Sequence, residues 1–390
     1  MKVAKTSAGF MLFTICAVVF MTCLSQMPYF VDSVLTHYIT YPLWICLMLG
    51  AILKNPILSF DKGKGFWMLV LLFFVHLGIT LIFKGSFFTS SIDKCVCMVA
   101  FIFMVGICCG KLIELQTIEK ICDAFIWATL IVCGSVFIEY IAGTDFGGSV
   151  YLYGSKNSVS QILLTAWILI FFIKLPRQRK RVVKLLLFAS LILLTWTMLG
   201  LKSRATLLGF PIIVIWTVLN GKYDRKIRNA IVIITLAITA FLTANENIWN
   251  ALVNNILFAG RQAGNLNSIS SGRANEWANF FADFAQNGFL GDGYDKRESV
   301  FLSAFLQHGI VGGLIITAMV FYPFSWFRKN VQKENMYYIP MTLIALVYIV
   351  NGIFEQQAPF GPGVKCFFLW FMMGMFSTLD NAESEVIISE

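Results

Sequence analysis

Two short stretches of this sequence hold the side chains best suited to bind an anionic ligand. Lys202-Ser203-Arg204 is a compact basic cluster between two apolar runs, and Ser271–Gly313 places Arg273 at the head of a polar segment. A guanidinium holds phosphate oxygens in bidentate fashion and keeps its charge in a low-dielectric site. These residue types therefore predict a ligand such as a lipid phosphate.

The chain around these stretches is too apolar for a soluble domain. Of its 390 residues 58% are hydrophobic and 13% are charged, with a mean hydropathy of +0.76, whereas soluble chains carry roughly 25% charged residues. Apolar runs of about 20 residues, long enough to cross a bilayer, recur throughout. The composition predicts an all-α integral membrane protein forming a single polytopic domain over residues 1–390. About 12 transmembrane helices are expected, near 9–31, 34–53, 66–84, 92–110, 120–142, 157–174, 183–200, 204–220, 229–243, 300–324, 336–355 and 364–380.

The lysines and arginines predict the orientation of these spans, because cytoplasmic loops carry an excess of them. With both termini in the cytoplasm, twenty of the 30 basic residues lie inside. The clusters at 177–184 and 222–228 are then ordinary flanking charge, and no nucleic-acid partner is expected. The other basic residues lie outside, mostly at 156, 202–204 and 261–297, where they favour an anionic ligand. All ten cysteines lie in or beside apolar segments, so we expect small core residues, with no disulfide framework and no metal site.

One long polar loop, residues 244–299, is predicted to lie outside the membrane between spans 9 and 10. It contains an amphipathic helix over about 272–286, which begins after Ser270-Ser271 and ends at Asn287-Gly288. Its large apolar residues recur at helical spacing with Arg273 at their head: Trp277, Phe280, Phe281 and Phe284. The pattern predicts a lid seated on the membrane surface.

Three stretches, taken in order, resemble the O-antigen ligase/polymerase superfamily, which includes Wzy-type polymerases and WaaL-type ligases. Tyr153–Asn157 resembles a Lys-Asn start of a membrane helix, and Met198–Phe210 resembles a Ser-Arg-small-x-Leu motif at the outer end of a helix pair. Ser271–Gly313 resembles a block of Arg, then Trp, then a Gly-x-Gly turn, then Gly-Ile-x-Gly at 309–312. Together the stretches span roughly half of the chain.

This resemblance implies a glycosyltransferase on the outer side of the bacterial cytoplasmic membrane. The enzyme would move a glycan from a polyprenyl diphosphate to a hydroxyl of another lipid-linked repeat unit. Donor and acceptor oligosaccharides are then the partners, together with the bilayer, and a chain-length regulator protein is compatible with this role. A diphosphate leaves without a proton from a general acid, so one base and a cationic clamp suffice, with no metal and no cofactor.

One departure from the family pattern separates polymerase from ligase. Ligases of the family commonly carry a His-Asn pair eleven residues before the Gly of Gly-Ile-x-Gly, but position 298 is Glu298 here. His308 lies ten residues further along, about 15 Å deeper, and is interpreted as a packed or hydrogen-bonded interior residue. The substitution favours a polymerase of O-antigen type. A ligase remains an alternative, as does a lipid-linked oligosaccharide transporter or flippase, which would predict internal repeats and Gly- or Pro-interrupted helices.

The predicted catalytic residues follow from these roles. Arg204 and Arg273 are assigned to the diphosphate with help from Lys202, and Glu298 is the candidate base for the acceptor hydroxyl, with a surface salt bridge as the alternative interpretation. Asn157 and Tyr153 are assigned to orienting sugar or phosphate, with helix capping as their alternative. The remaining predicted substrate-binding residues are Lys156, Trp277 and Arg297, of which Arg297, with Lys296, is expected to keep Glu298 ionised. Rivals for the base are Glu276 and Asp295, and Glu139 and Glu355 lie near outer span ends.

Overall fold

The structure is a computed structural model that describes most of the chain. The described residues are 2–27, 30, 40–55, 63–85, 90–143, 156–219, 229, 233, 244–246, 250, 267, 270, 272–287, 289–293, 297–356, 358–360 and 366–379. Every regular element among them is helical, and none of these residues lies in a β-strand. Helices satisfy their backbone hydrogen bonds internally, which is what an apolar bilayer requires.

Twelve helices are described, and we number them in chain order. They are α1 (Lys2–Leu24), α2 (Thr40–Lys54), α3 (Lys64–Lys84), α4 (Ser91–Gly110), α5 (Ile118–Ile141), α6 (Lys156–Arg177), α7 (Arg181–Gly200), α8 (Arg204–Leu219), α9 (Arg273–Asn287), α10 (Val300–Asn330), α11 (Tyr338–Phe354) and α12 (Phe367–Thr378). A short 3₁₀ turn, Leu115–Thr117, precedes α5. A π turn, Ile170–Lys174, interrupts α6.

Six of these helices are long and apolar enough to cross a membrane: α3, α4, α5 with its preceding 3₁₀ turn, α6, α7 and α10. Shorter apolar helices accompany them in α1, α2, α8, α11 and α12. The described part of the chain is therefore all-helical, and its long apolar helices make this a multi-pass membrane protein, as the composition predicts. The predicted span at 229–243 and most of the loop from 244 to 272 lie outside the described residues.

Helix α12 lies at the centre of the bundle and packs most extensively against α4. Its residues from Phe367 to Met375 are apolar on every side and all of them are buried. A helix that is apolar all round is stable only where neighbours surround it. The indole of Trp370 donates to the carbonyl of Pro359, at 2.8 Å, and so satisfies its polar atom in this core.

Helix bounds and burial differ from the expectations in two respects. The first span was expected to begin at 9, yet α1 begins at Lys2, and α10 ends at Asn330, beyond the expected 324. Hydropathy marks the apolar part of a helix, while the hydrogen-bonded backbone continues into flanking polar residues. The cysteines are free thiols, and seven are buried, but Cys46 is exposed, so the expectation that all ten are core residues is wrong there.

Candidate functional site

The ends of three helices bring one arginine between two carboxylates. Arg273 opens α9, Glu298 precedes α10 by two residues, and Glu355 follows α11 directly. The Arg273 Nη2 atom lies 3.1 Å from Glu298 Oε2 and 3.3 Å from Glu355 Oε1. Two of these three side chains, Arg273 and Glu298, are sequence-predicted catalytic residues, and the structure places them in direct contact.

Two further polar residues, from earlier in the chain, extend this contact. The side-chain amide of Asn157, near the start of α6, donates to Glu355 Oε1. The hydroxyl of Ser203, directly before α8, donates to Asn157 Oδ1 at 2.7 Å. We call the resulting chain of contacts, Ser203–Asn157–Glu355–Arg273–Glu298, the site cluster. Five segments that are distant in sequence meet in it.

The start of α9 is fixed locally, which sets the position of Arg273. The hydroxyl of Ser270 accepts the backbone N–H of Ala274 at 2.9 Å, so the predicted N-cap region does cap this helix. Gly272 adopts φ +91°, a left-handed conformation that turns the chain into the helix. Arg273 therefore occupies the first helical position, and its side chain points back towards the end of the bundle.

Backbone contacts hold Glu298 at the entrance to α10. The carboxylate of Glu276, one turn into α9, accepts the Glu298 N–H at 3.0 Å. Next to it, the hydroxyl of Ser303 contacts both the N–H and the carbonyl of Arg297, at 3.0 and 2.9 Å. Glu276, a sequence-predicted rival for the base, is thereby engaged in positioning its competitor.

Exposure distinguishes the two carboxylates of the site cluster. The Glu298 side chain is 57% exposed, whereas those of Glu355 and Arg273 are 16% and 17% exposed. Glu355 receives donors from both Asn157 and Arg273, while Glu298 retains an open side towards solvent. A base must reach a substrate hydroxyl, so Glu298 has the more suitable geometry and Glu355 is placed to orient its donors.

Arg273 also retains a donor that the cluster does not use. Its Nε atom is buried and has no hydrogen-bond partner among the described residues. Buried guanidinium groups are stable when each N–H is paired, so an unpaired one is a place where an anionic oxygen would be stabilised. Among the described residues, no three His, Cys, Asp or Glu side chains are grouped to hold a metal ion.

Three other predicted site residues are neighbours in sequence of Ser203 or Asn157, and one lies outside the described residues. Arg204 is the first residue of α8, next to Ser203, and Lys202 adopts a left-handed φ of +51°; both side chains are half-buried. Lys156 is the first residue of α6 and is half-buried beside Asn157. Tyr153, with the rival base Asp295 and with Lys296, lies outside the described residues.

Arg297, although next to Glu298 in sequence, forms an ion pair with a residue of α9. Its Nη2 atom lies 2.9 Å from Asp283 Oδ2 on α9, in a pair whose side chains are both 28% exposed. The cation that contacts Glu298 is Arg273 instead. Neighbouring residues in an extended segment project to different sides, so a charge adjacent in sequence is a poor guide to the partner. That Arg297 also helps to keep Glu298 ionised stays a prediction.

Helix α9 runs beside the first three turns of α10 instead of lying flat across the end of the bundle. Phe280 and Phe284 contact Phe305, with ring centroids 6.3 Å apart in each case. Beyond α9, the carbonyl of Phe289 accepts the N–H of Ile310, at 3.2 Å. The chain thus descends along α10 from Arg273 to the level of Ile310, about 15 Å below the first residue of α10.

A break in α10 makes room for this descending segment. Gly309 has φ +67° within the helix, and a Cβ there would lie 1.7 Å from the Phe289 carbonyl oxygen. Two carbonyls before the break, of Leu306 and Gln307, accept the N–H groups of Asp292 and Gly293 at 2.9 and 3.0 Å. The Gly-x-Gly turn and the Gly-Ile-x-Gly segment are therefore one paired structure, because only glycine permits that approach.

The large apolar residues of α9 fall into two groups, one packed against α10 and one exposed. Phe280 and Phe284 are packed against α10, but Trp277 is 43% and Phe281 is 79% exposed. At 100° per residue, Phe281 lies about 60° to 100° around the helix from the two packed rings. The packed and the exposed rings therefore belong to one wide apolar stripe, of which α10 covers only one edge.

Beside the break lies a buried group of ionisable residues that sequence analysis did not connect. His308 is 3% exposed, as its interpretation as an interior hydrogen-bonded residue requires, and its Nε2 lies 3.2 Å from Asp93 Oδ1. Ser90 Oγ lies 3.4 Å from the same nitrogen, and His76 packs at 6.1 Å between ring centroids. Asp93 and Ser90 also form a capping box at the start of α4.

Sequence analysis assigned no role to Ser203 or Asp283 and treated Glu355 only as a residue near a span end. A carboxylate at the end of a long apolar run is the signal that could have ranked Glu355 higher. Ser203 lies between Lys202 and Arg204, and the charge of these two residues, not the serine hydroxyl, was the basis for assigning a role to the motif. Asp283 gives no local signal, because its partner Arg297 lies across the turn that follows α9.

Comparison with known proteins finds one distant relative. The chain is 24% identical over 255 residues to a protein of Haemophilus influenzae described only as uncharacterized. The match covers 57% of this chain and 63% of that relative, so it extends over less than two thirds of the relative's length. No family model matches the chain, and no solved structure matches it.

Proposed function

We propose that this protein is a polysaccharide polymerase of O-antigen type. It transfers a glycan from a polyprenyl diphosphate to a hydroxyl of another lipid-linked repeat unit, without a metal, at the outer face of the bacterial cytoplasmic membrane. The proposal includes about 12 spans, cytoplasmic termini and an outer loop over 244–299. A protein that regulates chain length is a compatible partner.

One observation carries the proposal: the site cluster joins a largely buried arginine, an exposed carboxylate and an orienting carboxylate at helix ends. Its members come from all three stretches that resemble the superfamily: Asn157 from the first, Ser203 from the second, and Arg273 with Glu298 from the third. A role in stability alone would not require an open carboxylate and an unpaired guanidinium N–H at the same place.

The proposed reaction needs one base and a cationic clamp. The acceptor oxygen attacks the anomeric carbon, and the bond from that carbon to the diphosphate oxygen breaks, so the diphosphate leaves with the electron pair. Glu298 takes the hydroxyl proton. Arg273 stabilises the diphosphate charge, assisted by Arg204 and Lys202, and donors of this kind typically contribute a factor of about 100 or more in rate.

The two carboxylates divide the work in this proposal. Glu355, held by Asn157 and Arg273, keeps the guanidinium in place while the site is empty of donor. When a diphosphate enters, its oxygens compete for the Arg273 donors, and the contact to the exposed Glu298 is the one more easily exchanged, since water can solvate that carboxylate. Glu298 is then free to accept the proton.

One observation favours a second candidate, a transporter of lipid-linked oligosaccharide. Helix α10 is interrupted at Gly309, and glycine-interrupted helices are typical of transporters. In this chain, however, the interruption is filled by the backbone of residues 289–293, which leaves its carbonyls engaged. The ligase reaction uses the same donor chemistry and differs only in the acceptor.

The test is the polysaccharide profile of a strain that lacks the gene. Surface decoration limited to single repeat units, restored to long chains by the plasmid-borne gene, is the expected result. Full-length polymer accumulating on the polyprenyl carrier would identify a ligase. Lipid-linked repeats trapped on the cytoplasmic side would identify a transporter, and either outcome would overturn the polymerase proposal.

A further inference from the structure

We infer that the exposed flank of α9, formed by Trp277 and Phe281, binds the polyprenyl chain of the lipid diphosphate whose head group meets Arg273. This inference rests on the proposed function for the identity of the head group. It adds a binding surface for the lipid part of the substrate, which the site cluster itself does not contact.

The first argument is the order of residues along the helix. Arg273, Trp277 and Phe281 follow one another at intervals of four, so they form a single row along α9. The row begins at the cation of the site cluster and continues as two large aromatic side chains over about 12 Å. An amphiphile with an anionic head and an apolar tail matches this order, with its head at the cation and its tail along the aromatic side chains.

The second argument is the direction of α9. Arg273 lies at the end of the bundle beside Glu298, while Phe284 contacts Phe305 and the Phe289 carbonyl accepts from Ile310. The row therefore runs from the polar end of the bundle along the apolar body of α10. A lipid bound by its head at Arg273 would extend its chain in this direction.

The third argument is the exposure of two large aromatic side chains of α9. Phe280 and Phe284 are satisfied by Phe305, but Trp277 and Phe281 stay 43% and 79% exposed. Their neighbours on the same flank are small, since Ala274, Ala278 and Ala285 follow the row. Small side chains beside two rings leave a shallow apolar strip, in which a narrow chain can lie against the helix.

The bilayer itself is a less suitable occupant. Helices of this chain that are apolar around most of their surface, such as α3 and α7, expose many large aliphatic residues. Helix α9 instead exposes polar Asn275, Asn279 and Gln286 on the side opposite its two rings. An interfacial anchor usually carries basic residues on its polar side, whereas the polar side of α9 carries Glu276, Asp283 and these amides, and its apolar face begins at the site cluster.

The experiment compares ligands that share a diphosphate head and differ in tail length. The full-length protein in nanodiscs, and its Trp277→Ala/Phe281→Ala variant, are titrated with dimethylallyl diphosphate, farnesyl diphosphate and undecaprenyl diphosphate. For each ligand the measured quantity is the ratio of the variant's dissociation constant to that of the unmodified protein. Partition of the longer tails into the nanodisc lipid affects both proteins equally and cancels in this ratio.

We expect a ratio near one for dimethylallyl diphosphate, which cannot reach Phe281, and a ratio of about tenfold or more for the two longer ligands. An Asn279→Ala/Gln286→Ala control on the polar flank should give ratios near one throughout. Equal ratios for all three ligands would overturn the inference, because the flank would then act on the fold or on the head group only.

A second measurement identifies another occupant directly. With a benzophenone amino acid in place of Phe281, light should cross-link the flank to added farnesyl diphosphate. Cross-links to bilayer phospholipid or to a protein that excess farnesyl diphosphate does not displace would overturn the inference. The binding assay needs no turnover, so a deletion strain with a ligase profile would sink the polymerase proposal while leaving the tail-length result intact.

Discussion

Two clusters of charged residues lie at opposite ends of α6, and they are built differently. The site cluster meets α6 at Asn157, near its first residue. The other, which we call the Lys174 cluster, comprises Lys174, Arg177, Glu119 and Asp123, about 25 Å away along the helix. In it, Lys174 Nζ lies 2.7 Å from Glu119 Oε1 and 2.6 Å from Asp123 Oδ1, and Arg177 Nη1 lies 2.7 Å from Glu119 Oε2.

The Lys174 cluster joins two consecutive helices and balances two cations against two carboxylates. Its members Glu119, Asp123 and Arg177 are 32%, 41% and 49% exposed, so water can replace any lost partner. The π turn Ile170–Lys174 lies in this end of α6 and brings Lys174 towards α5. These features are typical of an ion-pair network that stabilises the packing of two neighbouring helices, here α5 and α6.

The site cluster departs from each of these features. It joins segments far apart in sequence and holds Arg273 largely away from water. Within the described part of the chain, the Nε of that arginine has no hydrogen-bond partner. The comparison teaches that ion pairing as such does not identify a functional site. A largely buried, incompletely paired cation beside an exposed carboxylate is the better indicator, because such an arrangement adds little to the stability of a fold.

The largest expected effect comes from removing the guanidinium of the site cluster. Arg273→Ala should lower the rate of chain extension by about 100-fold or more, since one donor to developing negative charge is worth that much. Arg273→Lys should also be impaired, because an ammonium cannot hold phosphate oxygens in bidentate fashion. The measurement is polymer length in a complemented deletion strain, with protein abundance checked by immunoblot. Long polymer made by Arg273→Ala would remove this residue from the clamp.

The next effect separates the two carboxylates. Glu298→Gln should lower turnover by about 100-fold, within the usual range for a general base, and leave donor affinity nearly unchanged. Glu355→Gln should weaken donor binding more than turnover, because its partner Arg273 loses an orienting charge. Turnover and donor KM of the purified variants test this difference. The reverse pattern would exchange the two roles, and full activity of Glu298→Gln would exclude it as the base.

A smaller effect is expected at the far end of the site cluster. Ser203→Ala removes the hydroxyl that donates to Asn157 Oδ1, so Asn157 should orient Glu355 less well. Loss of one neutral hydrogen bond is worth about 1 kcal/mol, or roughly five-fold in rate. Ser203→Thr, which keeps the hydroxyl, is the matched control. A loss as large as that of Arg273→Ala would mean that Ser203 itself contacts substrate.

The smallest effect on activity should come from the Lys174 cluster. Lys174→Gln removes the cation shared by Glu119 and Asp123, which should cost about 1–2 kcal/mol of folding stability and leave polymer length unchanged. Thermal unfolding in detergent, together with the polymer profile, measures both quantities. If the polymer shortens while protein abundance stays normal, the Lys174 cluster has a role in activity, and the contrast between a functional and a stabilising cluster does not hold.

The sequence by itself determined the membrane class, the helical composition and much of the candidate site. Long apolar runs can only be satisfied as helices, so hydropathy fixes their approximate ranges without any tertiary information. Basic residues that oppose the usual charge bias directed attention to Arg273 and the Lys202–Arg204 stretch. Asn157 and Glu298 followed from the family resemblance, and their chemical roles stay predictions.

Only the tertiary structure decided which charges are partners. Arg297 pairs with Asp283 and Arg273 with Glu298 and Glu355, because helix direction and side-chain azimuth determine which groups meet across a gap in sequence. The path of α9 along α10 likewise depends on a backbone contact between Phe289 and Ile310. Gly309 makes that contact sterically possible, but a glycine in a sequence does not say which carbonyl will approach it.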